Sequence, residues 1–143
     1  MKNINAINIK AININPGFRL IKMLDMGYTT IIYFVLAIIT AVLLDKLYGP
    51  FDEKEEKKKT TLRKALELIG MIWLNGVIIY LARNIVPLIP SPFNGLYGYQ
   101  HNRLKELQDA YVFDFVLIYN QTNLVKRMRI FYNGVKTYLF NTI

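Results

Sequence analysis

Residues Met26–Leu44 read MGYTTIIYFVLAIITAVLL and carry no formal charge over nineteen positions. A helix rises about 1.5 Å per residue, so this stretch reaches about 28 Å, close to the ~30 Å hydrocarbon core of a bilayer. A second apolar stretch, Leu68–Ala82, follows a heavily charged interval. By itself it is too short to cross. Arg83 can snorkel toward headgroups, and Asn84-Ile85-Val86 lengthens the run until Pro87 stops it. The pattern predicts a mainly α chain built on a two-span transmembrane helical hairpin. Its spans are 26–44 and 68–86, joined by the charged loop 45–67. In that loop FDEKEEKKKTT reads as a solvated connector, and Thr60 or Thr61 as the N-cap of a helix that leads through Leu62, Ala65 and Leu66 into the second span.

The flanks read differently. Residues 1–15, MKNINAINIKAININ, alternate Ile and Asn and suit an extended N-terminal tail. Pro16-Gly17 reads as a turn that ends this tail, and Phe18–Asp25 as a short basic lead-in to the first span. After the hairpin, residues 87–98 read PLIPSPFNGLYG. The prolines exclude an α-helix there, and Asn94-Gly95 is a tight-turn signal. From Arg103 to about Asn120 helical spacing returns, which predicts an amphipathic C-terminal helix. The chain thus divides into a tail (1–25), a hairpin (26–86) and a membrane-surface turn with an amphipathic tail (87–143).

The formal charge is +8, and the basic excess lies in residues 1–25 and 83–143. A hairpin puts both of these segments on one side of the membrane. A basic face there suits anionic lipid headgroups or an acidic partner surface. With no cysteine, disulfides, thiolate metal sites and cysteine nucleophiles are excluded. The single histidine, His101, follows a glycine-rich turn and reads as a turn or cap residue, so no histidine-built metal site is expected. There is no GxxxxGK[ST] loop, GxGxxG, HExxH or GxSxG. Asp109 and Asp114 share no acid–base partner. The expectation is therefore a chain without catalytic residues, cofactor, metal or small-molecule substrate. Lys126, Arg127 and Arg129 lie among Phe131, Tyr132, Tyr138 and Phe140, a mixture that can bind nucleic acid. Beside two spans it reads instead as a surface for a membrane or a protein.

Two sets of residues are candidates for interaction. Asn75 lies near the middle of the second span, where an amide needs a hydrogen-bond partner. Thr40 of the first span and another subunit are the two candidates. Ala37 and Ala41 beside Thr40 make a small-xxx-small face that allows close helix approach. In the C-terminal segment, Leu104, Leu107, Tyr111, Phe115 and Ile118 form one apolar stripe for a partner, with Arg103 and Lys105 toward headgroups or acidic protein.

The run Ile89-Pro90-Ser91-Pro92-Phe93-Asn94-Gly95, followed by Gly98-Tyr99-Gln100-His101-Asn102-Arg103-Leu104-Lys105-Glu106, is similar to a small membrane protein of large icosahedral DNA viruses, the phycodnavirus and mimivirus relatives. There a hydrophobic hairpin precedes a Pro-Phe-Asx-Gly turn and a Gly-aromatic-x-His helix start. The likeness covers about residues 60–125 and brings no catalytic residues. It implies a structural, minor-capsid component in the internal membrane of a virion or a host-derived membrane, with the bilayer and other capsid proteins as partners. An accessory subunit of a cellular membrane complex and a small channel-like or holin-like protein are the alternatives. The channel reading needs polar residues repeated along one face of a span, and Asn75 stands almost alone.

Overall fold

A computed structural model describes residues 15–101 and 111–140. The expected Ile/Asn tail, and Arg103, Leu104, Lys105 and Leu107 of the expected stripe, lie outside the described residues. The described chain is mainly helical and has no strand. Its α-helices are α1 (Pro16–Tyr48), α2 (Glu53–Lys58), α3 (Thr61–Ile85), α4 (Tyr111–Asn120) and α5 (Thr122–Phe140).

Helix α1 begins well ahead of the uncharged run. The Asn15 side chain accepts from the Gly17 amide at 2.9 Å, and its carbonyl accepts from the Arg19 amide at 3.2 Å. Pro16 occupies the first helical position, where its missing N–H costs nothing. The Pro16-Gly17 turn and the separate lead-in are therefore corrected: these residues open a helix, with asparagine as its cap. The helix stops at Gly49, whose φ of +73° suits glycine, and Pro50 follows.

Helices α1 and α3, the latter continued by a 3-10 turn at Val86–Leu88, are long and apolar enough to cross a membrane. Of their most apolar windows, 28% and 22% are buried. The core helix of a soluble protein hides its apolar side chains, whereas here Ile31, Val42, Leu43, Leu66, Ile69 and Trp73 are all exposed. The buried positions of α1 are Phe18, Ile21, Asp25, Thr29, Tyr33, Ala37, Ala41 and Leu44, a single stripe at helical spacing. Ala37 and Ala41 are fully buried, as a close-approach face requires.

The charged interval is not a plain solvated loop, and that expectation is corrected. Asp52 accepts from the amides of Lys54 (2.8 Å) and Glu55 (3.4 Å) and starts α2. Glu56 on that helix is 4% exposed. Composition concealed this, because EKEEKK is charged throughout while its order supplies a cap and an acidic first turn.

The chain forms two compact units that do not follow its sequential segments. One takes the described residues of Met1–Tyr33 and Leu81–Ala110, and the other Phe34–Tyr80 with those of Tyr111–Ile143. In the first, Phe18, Ile21 and Tyr99 make a small core with Phe93 against it, and the Phe18 and Tyr99 rings lie 5.8 Å apart. In the second, Phe113, Leu117 and Leu124 are buried. Helices α4 and α5 break at Gln121. There the Asp45 carboxylate accepts from the Asn123 amide at 3.1 Å, and the Asn123 side chain donates to the Asp45 carbonyl at 3.2 Å. A negative charge at the first turn of α5 is favourable against the helix dipole.

Candidate functional site

The first unit is fastened by a buried carboxylate. Asp25 of α1 is fully buried. Ser91 donates its hydroxyl to Oδ1, and Tyr99 donates its hydroxyl to Oδ2. The His101 Nδ1 lies 2.6 Å from Oδ2. Local turn chemistry delivers these donors. The Ser91 hydroxyl also accepts from the Phe93 amide at 3.1 Å. The Asn94 side chain accepts from the His101 amide at 3.0 Å, and the Gly95 amide donates to the Tyr99 carbonyl at 2.8 Å. Gly95 sits at φ +89° and makes that reversal without strain. Tyr28 closes the outside, with its ring edge-on to Phe93 at 6.4 Å.

With Nδ1 against a carboxylate, the imidazole carries its proton there, and the ring is held in one orientation. His101 Nε2 is buried and has no hydrogen-bond partner among the described residues. The Ser91 hydroxyl is committed to Asp25 rather than to the imidazole, so Ser91 is not set up as an activated nucleophile. Chemically the cluster is a fastening: a buried charge satisfied by three donors, two of them neutral hydroxyls. Sequence reading placed His101 in a turn and did not pair it with Asp25. The available signal was a lone carboxylate before an uncharged run, which needs donors from elsewhere in the chain.

The second unit is fastened by an amide pair. Asn75, 3% exposed, donates to Gln121 Oε1 at 3.1 Å, and Gln121 Nε2 donates to Asn75 Oδ1 at 2.5 Å. Asn75 Nδ2 also donates to its own helix at the Met71 carbonyl (2.9 Å). Gln121 does the same toward the Leu117 carbonyl (3.1 Å). The expected mid-span partner exists, but it is Gln121 at the α4–α5 break. Thr40 is not that partner: its hydroxyl donates to the Leu36 carbonyl of its own helix at 2.7 Å.

Near this pair lies an ion network. Arg127 Nη1 is 2.7 Å from Glu56 Oε2 and 3.6 Å from Glu67. Lys59 reaches Glu56 at 2.9 Å and also bonds Glu67, which Arg63 meets at 3.0 Å. Burial works against the Lys59 ammonium. Its hydrogen bonds to Glu67 and Glu56 outweigh that cost and hold its pKa above the ordinary value. The guanidinium of Arg127 also lies over the Phe51 ring, 5.9 Å from its centre.

Of the expected stripe, Tyr111, Phe115 and Ile118 are described, and all three are on the exposed side of α4. Phe113 and Leu117 are buried, so α4 has one apolar face inside the unit and another outside it. Phe115 stacks on Tyr119 at 5.7 Å, and the two are 70% and 72% exposed. No described group of His, Cys, Asp and Glu could hold a metal ion. Compared with known protein families, curated proteins and solved structures, the chain matches none.

Proposed function

We propose that this chain is a structural integral membrane protein that ties a bilayer to a protein layer, as a minor capsid component would in a virus with an internal membrane. The observation that supports this most is the double apolar character of α4. Its inner face, Phe113 and Leu117, is packed into the unit, while Tyr111, Phe115 and Tyr119 stand exposed, the last two stacked on each other. Large aromatic side chains of this kind anchor protein interfaces. The two long apolar helices supply the membrane attachment. A channel is less well served, since the amide of Asn75 is spent on Gln121 and not left facing a pore. An accessory subunit of a cellular membrane complex would use the same surface, and the partner bound there separates the two readings.

The test combines carbonate extraction with a triple variant, Tyr111→Ser, Phe115→Ser and Tyr119→Ser. Wild type and variant should both stay in the alkaline pellet, while only wild type is recovered in the purified particle or complex. Release of wild type into the supernatant refutes the membrane assignment. Normal incorporation of the variant refutes the contact surface.

A further inference from the structure

In the second unit, a cavity of about 460 Å³ is lined by Tyr48, Lys59, Glu67, Gly70, Met71 and Arg127. We propose that it holds the headgroup of a zwitterionic phospholipid carrying a primary ammonium. The inference rests on the membrane reading above. Tyr48 follows the apolar run of α1, and Gly70-Met71 lie in the first turn of the apolar run of α3, which begins at Leu68. The cavity is therefore walled where the apolar helices give way to charge, the level at which lipid headgroups lie. Its volume falls within the ordinary range for ligand sites.

Charge selects the ligand. The lining holds two cations, Lys59 and Arg127, and one carboxylate, Glu67; both cations also bond Glu56, and Arg63 bonds Glu67. A bare anion would draw Lys59 and Arg127 away and strand Glu56, whose ion-pair partners are these two cations, and a bare cation would leave the spare donor of Arg127 without an acceptor. A molecule bearing both a phosphodiester and an ammonium compensates both sides at once. Arg127 has a donor to spare, because among the described residues its buried Nε has no hydrogen-bond partner, while the side chain is 10% exposed. A primary ammonium can donate to Glu67, whereas a trimethylammonium has no N–H to donate. The wall at Gly70 is open: a Cβ added there would meet nothing within 4 Å.

The test uses the full chain in maltoside detergent and follows thermal unfolding. Dihexanoylphosphatidylethanolamine should raise the melting temperature saturably. Dihexanoylphosphatidylglycerol, dihexanoylphosphatidylcholine and inorganic phosphate should need about ten-fold more for the same rise. Gly70→Leu fills the cavity with a better helix former, so it should melt no lower than wild type and lose the response. Arg127→Lys, which keeps the charge and removes Nε, should weaken it. No saturable rise, an equal response to phosphatidylglycerol, phosphatidylcholine or phosphate, or a full response in Gly70→Leu overturns the proposal. An equal response to free phosphoethanolamine overturns the lipid as source. A negative result from a protein that still resists carbonate refutes the headgroup site and leaves the membrane reading standing.

Discussion

Asp25 accepts from side chains that lie 66, 74 and 76 positions further along the chain. Asp25→Asn preserves the shape, but it offers one acceptor oxygen and turns an amide toward groups that are themselves donors. Hydrogen bonds to a charged group contribute about 1.5–3 kcal/mol each, so the variant should be less stable by about 3 kcal/mol or more. The measurement is thermal unfolding in detergent, and an unchanged melting temperature would show that Ser91, Tyr99 and His101 find other acceptors. What the sequence displayed here was a lone acid ahead of an uncharged run and a lone histidine after a turn. Periodicity reports which face of one helix is apolar. It carries no information on which turn, tens of residues later, returns to that face, and His101 therefore read as a bland cap.

Among the helices, the same division between need and partner holds for Asn75. An amide at mid-helix in an apolar run announces that it must be bonded, and that much was legible. Gln121 was not, because it sits between two amphipathic segments, where a glutamine looks like surface. Replacing either partner alone with leucine leaves the other buried without its bond. Asn75→Leu and Gln121→Leu should each cost about 1–3 kcal/mol, and the double variant clearly less than the two added together. Additive losses would show that the pair is not coupled. The two long helices were legible because hydrocarbon solubility is written directly in composition, and Ala37 and Ala41 because small residues mark close approach. Helix α2 was missed because charge density dominated the reading of residues 45–67, although Asp52 followed by acidic residues was a start signal.

At the scale of the molecule, each compact unit joins part of a long helix to a segment that comes after the hairpin. The sequential division into hairpin and tail follows where hydrophobicity changes, whereas the units follow where buried polar groups find partners. The ion network gives the second unit a pH signature. The Lys59 pKa is raised above 10.5 in the folded state by its carboxylate partners, against the cost of burial. Its stabilisation is thus complete below that pH and is lost as pH climbs through the raised value. Melting temperature should fall on alkaline titration past 10.5, and Lys59→Gln should be less stable at neutral pH with a flatter alkaline limb. A wild-type curve that stays flat there would remove Lys59 from the account. The Asp25 fastening also bears on the order of synthesis. When a ribosome has delivered α1, its carboxylate has no donors, and none exists until residues 91–101 emerge. Asn75 waits in the same way for Gln121. The two long helices emerge well before either lock can close, so a nascent chain whose emerged part ends between 101 and 121 would have one lock shut and the other open.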